Sequence, residues 1–263
     1  MSAVVTRRRI AMLIPPIVVG AAVLALWEWW IVARDVKPYL MPKPTAIRQQ
    51  LSLQRHLIWN AAWMTGKNAL IGLIVGTIAG VVMALIASRL RFFRDMITPV
   101  AAAINVLPLI AVTPILYNAI SNTSQTPRRV VVSLVVFFPI FINVMKGLTQ
   151  IDATQAELMR SYAASPRDVL RRVRVPNALP FFFTGFKTAA SGAVISAVVA
   201  EYFGGPQKGL GYYISSNAAQ TRTPQAWAYV VAACLLGLAF FLISLVLERL
   251  AMPWRARRDA AAP

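Results

Sequence analysis

Long runs of apolar residues alternate with shorter polar stretches along most of this 263-residue chain. Six of the runs approach the length of about 20 residues that an α-helix needs to cross the hydrocarbon layer of a bilayer. Helices rather than barrel strands are expected, because a helix pairs its backbone polar groups within the segment. The fourth run is short, so we expect its helix to extend into the flanking residues. The six predicted spans are Ile10 to Val32, Asn68 to Ala87, Met96 to Ile120, Val130 to Met145, Phe181 to Ala200 and Ala226 to Leu247.

The residues between the fourth and fifth spans, 152–180, form a polar, arginine-rich island that cannot lie in lipid. Pro166 stands where a first-turn proline is tolerated, and Pro176 should end the helix that Pro166 begins. The pattern predicts a short helix, a turn and a second short helix, exposed on one side of the membrane. Two pairs of residues have the spacing of a helix-capping box: Asp152 with Gln155, and Ser165 with Asp168.

Each short helix of the island carries an apolar stripe beside its charges. Residues four apart lie on the same face of a helix. Such a stripe suits a groove in a partner protein, and the alternative is an amphipathic linker with a solvated arginine face. The pairs that form the stripes are Leu158 with Tyr162, Met159 with Ala163, and Val169 with Val173.

Charge supports a membrane protein and gives it an orientation. The chain has 27 Lys and Arg against 9 Asp and Glu, with 58% hydrophobic residues and a mean hydropathy of +0.61. The basic residues cluster at the ends of apolar runs, which is typical of membrane orientation rather than of nucleic-acid binding. Basic residues are more frequent on one side of the predicted spans. This asymmetry places both termini, the island and the segment from Arg89 to Arg94 in the cytoplasm.

The sequence lacks the residues that an energy-converting or metal-dependent enzyme would need. Gly66-Lys67 is the only Gly-Lys pair, and its surroundings do not fit a phosphate-binding loop. One histidine and one cysteine exclude a His/Cys metal cluster within one chain, so no cofactor is expected. Glu28 and Glu201 are the acids nearest to the spans, both at predicted outer ends, and we expect Glu201 to order the outer loop. Few intramembrane acids argue against a proton-coupled transporter.

Small residues and prolines mark three of the spans. Gly72, Gly76 and Gly80 recur every four residues, which allows two helices to approach closely. Packing within the chain is the favoured interpretation, with a subunit interface as the alternative.

Prolines in the third and fourth spans free backbone carbonyls, either as simple kinks or along a solute path. The candidate path residues are Asn105, Pro108 and Asn143.

The island resembles the cytoplasmic loop of the permeases of binding-protein-dependent ABC importers. Their loop reads Glu-Ala-Ala, three residues, Gly, nine residues, Ile-x-Leu-Pro. Glu157 takes the Glu position, Leu158 and Met159 the two Ala, Ala163 the Gly, and residues 173–176 the closing four. The spacing holds throughout, whereas the residue types depart at the Ala pair, the Gly and the Leu.

Other segments resemble the nitrate/sulfonate/taurine group of that family. They are Tyr39 to Thr45, Asn177 to Pro180, Ala200-Glu201 and Gly209-Leu210-Gly211. Residues 116–126 depart from the family pattern, because they lack its glycine-containing Trp/Phe motif.

The resemblance implies an all-α membrane protein with six spans and a cytoplasmic coupling loop, residues 152–176, that docks into a separate ATPase subunit. The Glu that matches Glu157 helps to hold that contact in the family. The coupling residues that it implies are Glu157, Leu158, Met159, Arg160, Tyr162, Ala163, Ser165, Asp168, Val173 and Pro176.

By the same resemblance, two copies of the chain form the path and two ATPase subunits lie beneath them. An extracytoplasmic binding protein delivers a nitrate-, sulfonate- or taurine-like solute, or a pyrimidine or flavin precursor. The chain itself is not an enzyme, binds no nucleic acid and lies in the inner membrane. We expect a cytoplasmic tail at 1–9, a permease domain at 10–250 and a second tail at 251–263. An ion-coupled secondary transporter and a membrane scaffold subunit remain alternatives.

Overall fold

The computed structural model describes residues 2–90, 92, 96, 99, 109–120 and 123–253. These residues form α-helices joined by short loops, and the described ranges contain no strand. One π-helical turn, Leu170–Arg174, joins two of the helices directly. The helices are α1 (Ser2–Ala33), α2 (Pro44–Leu53), α3 (Arg55–Arg89), α4 (Leu109–Ile120), α5 (Thr126–Thr149), α6 (Ala153–Ser161), α7 (Pro166–Val169), α8 (Val175–Tyr202), α9 (Leu210–Ala219) and α10 (Thr223–Ala251).

The all-helical membrane fold is confirmed. Among the described residues, five helical segments are long and apolar enough to cross a bilayer, and they correspond to five of the six predicted spans. The predicted third span is represented by α4, and most of its first half lies outside the described residues. The fourth span does extend into its flanks, since α5 runs from Thr126 to Thr149.

Helix α3 begins at Arg55, well before the predicted start at Asn68. The first turns of α3 contain charged residues, so their composition is not typical of a membrane span. They nevertheless bury Ile58, Ala61 and Thr65, which lie three or four positions apart on one face. The amphipathic helix α2 was not predicted at all.

The core lies where α5 packs between α3 and α8. A Cβ atom built on Gly72 would lie 2.5 Å from Cβ of Val132, and one on Gly76 would lie 2.5 Å from the carbonyl oxygen of Ser133. The backbones therefore approach closely within one chain, which confirms the favoured interpretation of the glycine row. On α8, three buried alanines contribute to the same core: Ala189, Ala193 and Ala197.

The remaining helices surround this core. Helices α9 and α10 pack on α8, and α2 packs on α10. Helix α1 lies at the edge with most of its side chains exposed, as suits a lipid-facing span. Glu28 connects α1 to α2, because its carboxylate accepts hydrogen bonds from the backbone N–H and the hydroxyl of Thr45 at 3.1 and 2.6 Å. Glu28 thus caps the start of α2, a role that its position in the sequence did not indicate.

A lysine near the end of a span, such as Lys187, would be expected to extend toward the membrane surface, but here it pairs with an acid. Its Nζ lies 2.7 Å from Oε2 of Glu248 on α10, and both side chains are largely buried. Glu248 follows the predicted end of the sixth span by one residue, so it was not counted among the acids near the membrane. The two charges are paired because an unpaired charge at this depth would be costly.

Candidate functional site

The predicted coupling loop, residues 152–176, begins with a capped helix. The side chain of Asp152 accepts a hydrogen bond from the backbone N–H of Thr154 at 2.8 Å, so the predicted helix start is confirmed. This bond holds the pKa of Asp152 below its usual value, because it stabilises the charged carboxylate.

The second predicted start is confirmed as well. Ser165 Oγ accepts a hydrogen bond from the backbone N–H of Asp168 at 3.2 Å and donates one to its Oδ2 at 2.6 Å. Pro166 occupies the first turn of α7. Ser165 and Asp168 therefore shape the loop, and their polar atoms are already engaged within it.

Helix α6 ends in a turn that explains the glycine of the family motif. Ala163 has a left-handed backbone, with φ of 47°. Its N–H donates to the carbonyl of Arg160 at 2.9 Å, and the N–H of Ala164 donates to that of Met159 at 3.0 Å. These two bonds form a Schellman motif, in which glycine is the usual residue at the left-handed position. Alanine adopts this conformation at a cost of about 1 kcal/mol.

Pro176 does not end the second helix, so that prediction was wrong. The chain continues from α7 through the π-helical turn into α8, and Pro176 lies in the first turn of α8. In a π-turn each N–H bonds the carbonyl five residues back instead of four, which shifts the hydrogen-bond register. A residue without an N–H is tolerated at such a shift, because one carbonyl there has no helical partner.

The structure brings four of the predicted coupling residues together. A cleft of about 240 Å³ between α6 and the start of α8 is lined by Leu158, Met159, Val173 and Pro176, with Gln155, Arg172 and Asn177. A larger cleft of about 940 Å³ separates α6 and α7 from the end of α3. Arg160 and Ala163 line this second cleft together with Arg89, Arg167 and Arg174.

Three of the predicted coupling residues are exposed on α6 and at the residue that follows it. Leu158 is 53% exposed and Tyr162 is 75% exposed, although both are apolar residues one helical turn apart. Glu157 is exposed beside them and makes no hydrogen bond or ion pair within the described part of the chain. Its carboxylate is therefore available to a partner.

Of the three candidate path residues, the described part of the chain includes only Asn143; Asn105 and Pro108 lie outside it. Asn143 is half-buried on α5, and its side-chain amide donates to the carbonyl of Pro139 at 2.7 Å. Its Cβ packs close to Gly185 on α8. In this structure its amide therefore bonds its own helix at the α5–α8 contact.

The opposite end of α5 and α8 carries a buried polar cluster that the sequence did not reveal. Arg128, in the first turn of α5, is completely buried. It donates hydrogen bonds to the hydroxyl of Tyr117, to the side chain of Gln125 and to backbone carbonyls of residues 204, 206 and 208. A possible signal was two adjacent arginines at the outer end of an apolar run, against the bias of the other basic residues.

Glu201, at the end of α8, belongs to the same end and is 1% exposed. Its Oε2 accepts hydrogen bonds from the hydroxyl of Thr65 at 2.7 Å and from the N–H of Gly211 at 3.1 Å. The Thr65 hydroxyl also accepts from the N–H of Leu210 at 2.9 Å. Gly209 passes so close to the carboxylate that a Cβ there would lie 2.4 Å from it. Glu201 thus holds the start of α9 against α3 and α8.

No three His, Cys, Asp or Glu side chains within the described ranges are close enough to hold a metal ion. The described residues instead form an exposed surface at one end of a helix bundle and a buried polar cluster at the other.

Comparison with known proteins identifies the family. Residues 76–256 match the family of binding-protein-dependent transport system inner membrane components, and the chain belongs to this family. It is a multi-pass inner-membrane permease subunit of an ABC importer, which excludes the alternatives of a secondary transporter and a scaffold.

Two curated relatives extend this match. The chain is 30% identical to a formylaminopyrimidine transport permease of Halalkalibacterium halodurans, over 89% of this chain and 93% of that protein. It is 26% identical to an aliphatic sulfonates transport permease of Bacillus subtilis, over 89% and 85%. The second match confirms the resemblance to the sulfonate group.

A solved structure supports the fold independently. The chain is similar to one from a crystal structure of an amino acid ABC transporter, with a TM-score of 0.58 and 18% sequence identity. The match covers 76% of this chain and 97% of that one.

Proposed function

We propose that this permease is driven by a separate ATPase subunit that docks onto the coupling loop, residues 152–176. The observation that supports the proposal is the exposed surface formed by Glu157 and Leu158 on the capped helix α6 and by Tyr162 directly after it. Apolar side chains exposed outside the membrane spans favour contact with another protein.

Glu157 is the polar anchor of this contact. It lies beyond the first turn of α6, and its carboxylate has no partner in the described chain. Charge-assisted hydrogen bonds to such a group contribute about 1.5–3 kcal/mol. Their loss would weaken docking by roughly tenfold to a hundredfold, at 1.4 kcal/mol per decade.

The docking experiment compares Glu157→Ala with the parent by pull-down of the ATPase and by ATP hydrolysis in reconstituted membranes. The variant should fold normally but retain less ATPase and lose solute-stimulated hydrolysis. Glu157→Gln should show an intermediate loss, because it keeps an oxygen acceptor without the charge. Ala153→Ser, at the exposed start of the same helix, is the matched control. Normal retention and stimulation in Glu157→Ala would remove this residue from the mechanism.

The proposed assembly contains two copies of this chain, two ATPase subunits and an extracytoplasmic binding protein. The family match supports this arrangement, because its members are binding-protein-dependent. ATP binding would close the ATPase pair, displace the docked loops and switch the path from inward to outward facing. The candidate path residues Asn105, Pro108 and Asn143 are proposed to lie beside this path.

Both termini and the coupling loop are proposed to lie in the cytoplasm, which the bias of basic residues supports. Cysteines at Gln155 and Gln220 test this orientation, since both positions are exposed and lie at opposite ends of the bundle. The exposed native Cys234 must first be replaced by alanine. A membrane-impermeant thiol reagent applied from outside should label position 220 and not position 155. Labelling of both positions from the same side would contradict the six-span topology.

For the cargo we propose a small pyrimidine-type precursor or a small organic anion. The similarity to the formylaminopyrimidine permease favours the former, because it combines the higher identity with coverage of nearly the whole chain. Uptake of radiolabelled formylaminopyrimidine and taurine by cells that carry the complete importer distinguishes the two. Equal uptake of both with and without the permease would reject this assignment.

A further inference from the structure

The guanidinium of Arg128 joins three separate parts of the chain. Its Nε donates to the hydroxyl of Tyr117 on α4 at 2.7 Å, and its Nη1 donates to the side chain of Gln125, just before α5, at 2.8 Å. The remaining bonds go to the segment 203–209, which connects α8 to α9. They reach the carbonyls of Gly204 at 3.1 Å, Pro206 at 2.7 Å and Lys208 at 3.1 Å.

These bonds use all the donors that an arginine has. A guanidinium carries five N–H groups, and here five hydrogen bonds engage them. Arg128 is therefore not available to bind an anionic solute, even though it lies at the proposed outer end of the bundle. Its role must be to hold protein groups in place.

Tyr117 extends the same connection to α8. Its hydroxyl accepts from Arg128 and donates to the carbonyl of Ala200 at 3.3 Å. Its ring lies against the loop, because a Cβ on Gly205 would come within 2.4 Å of it. Helices α4, α5 and α8 and the segment 203–209 thus meet at one buried point.

Two of the helices that meet there, α5 and α8, are also the helices that carry the coupling loop. At the loop end, the side chain of Asn177 donates to the carbonyls of Gly147 and Gln150 at 2.8 and 2.7 Å, which ties the start of α8 to the end of α5. Between the ends, Gly185 allows the backbones to touch, since a Cβ there would lie 2.6 Å from the carbonyl oxygen of Pro139. Helices α5 and α8 are therefore in close contact at both ends and in the middle, so we expect them to move as one rigid body.

We propose that Arg128 is a positioning residue that makes the segment 203–209 move together with α5 and α8. A displacement of the coupling loop then reaches the opposite mouth of the path. Without Arg128 the helices would still respond to the ATPase, while the segment 203–209 would no longer follow them. This inference rests on the proposed function, in which an ATPase displaces the coupling loop.

The first test is Arg128→Lys in the complete importer reconstituted in liposomes with its binding protein. Lysine keeps the charge but cannot reproduce the planar, five-donor arrangement. The variant should co-purify with the ATPase and keep its basal hydrolysis, while the solute imported per ATP falls by about tenfold or more, the order that buried charge-assisted bonds contribute. Arg129→Lys is the matched control, because the side chain of Arg129 makes one hydrogen bond within the described ranges, to Asn68 Oδ1 at 3.1 Å.

A spectroscopic readout separates positioning from simple stability. Nitroxide labels at the exposed positions Thr126 and Gln207, in a Cys234→Ala background, report the distance between α5 and the loop. Their spin–spin coupling should stay constant through the ATP cycle in the parent. In Arg128→Lys it should weaken and vary with nucleotide.

Several results would overturn the proposal. The proposal fails if Arg128→Lys imports as much solute per ATP as the parent, including the case in which import and ATP hydrolysis fall in proportion. It also fails if the spin–spin coupling in Arg128→Lys stays constant through the ATP cycle. If Arg128→Lys does not assemble, Tyr117→Phe carries the test, because it removes only the hydroxyl. If neither variant assembles, the cluster is a folding element and the proposal fails. Absence of ATP-driven uptake in the parent would instead reject the proposed function itself.

Discussion

The hydrogen bonds that cap the helices of the coupling loop are local in sequence, whereas those of the buried cluster at the opposite end of α5 and α8 mostly join residues far apart in sequence. In the coupling loop, Asp152 caps a helix through Thr154, two residues on, and Ser165 caps one through Asp168. At the opposite end, Thr65 bonds Glu201 across 136 residues. Exposed local bonds can form before the bundle does, while buried long-range bonds exist only in the folded protein.

The difference in burial has an energetic consequence. A broken cap in the coupling loop leaves its N–H groups in water, which can replace the lost partner. A broken bond in the cluster leaves a buried polar group without a partner, which costs the full desolvation free energy. Substitutions in the coupling loop should therefore affect docking and local order, whereas substitutions that leave a buried group unpaired at the other end should lower the stability of the whole fold, even where the protein still assembles.

The largest expected effect comes from Gly211→Ala. A Cβ at this position would lie 2.0 Å from the carbonyl oxygen of Val198 and 2.7 Å from Cβ of Glu201, so α8 and α9 would have to separate. We expect little or no folded protein after purification in detergent. Gly192→Ala is the control, because a Cβ there would lie 3.8 Å from Val135, an ordinary contact. Normal yield and melting temperature for Gly211→Ala would show that this end is less tightly packed than the structure indicates.

Thr65→Val should cause the next largest effect. The valine has nearly the same shape but leaves Oε2 of Glu201 and the N–H of Leu210 each without the bond that Thr65 made. Oε2 of Glu201 keeps its bond from the N–H of Gly211, but the buried N–H of Leu210 is left unpaired at a cost of about 1–3 kcal/mol, so the melting temperature should fall clearly. Thr188→Val is the control, since the Thr188 hydroxyl is exposed and bonds only its own helix. Equal stability of the two variants would contradict the contrast between the ends.

Ser165→Ala should produce a smaller and local change. Loss of this cap costs about 0.5–2 kcal/mol, confined to α7 and the adjoining π-turn. We expect faster amide hydrogen exchange at residues 166–170 with an unchanged global melting temperature. The exchange rate in Ser165→Asp should lie between those of Ser165→Ala and the parent. Its carboxylate can still accept the bond from the N–H of Asp168, but it places two acids together. A drop in global stability with alanine would show that the loop is part of the folding core.

The smallest effect, and one of opposite sign, is expected from Ala163→Gly. Ala163 has a left-handed backbone that glycine adopts without steric cost, so α6 should be stabilised by up to about 1 kcal/mol. Ala164→Gly is the neighbouring control and should not stabilise, because Ala164 is not among the residues with positive φ. Slower hydrogen exchange in α6 of Ala163→Gly alone would support the interpretation. Equal slowing in both variants would contradict it.

The coupling loop shows which local features could be predicted from the sequence and which could not. Both caps were predictable, because a cap needs only a side chain and a backbone N–H two or three residues apart. The continuation through Pro176 was not, since a π-turn depends on how the following helix is held against α5. The family motif located Glu157, and the structure added that its neighbours Leu158 and Tyr162 are exposed.

The sequence alone determined the class of this protein. Span length, apolar composition and the distribution of charge are properties of continuous segments, and a bilayer acts on each segment separately. The same holds for the helix caps and for the loop motif that led to the importer family. These features depend on residues that are neighbours in the chain.

The tertiary structure decided which polar residues are buried and what they hold. Arg128 and Glu201 look like surface charges at span ends, and Lys187 looks like a side chain that reaches toward the membrane surface. In the fold, backbone carbonyls of residues 204–208 surround Arg128, Thr65 meets Glu201, and Glu248 pairs with Lys187. A buried charge needs partners, and these come from helices whose contacts are set only when the bundle packs.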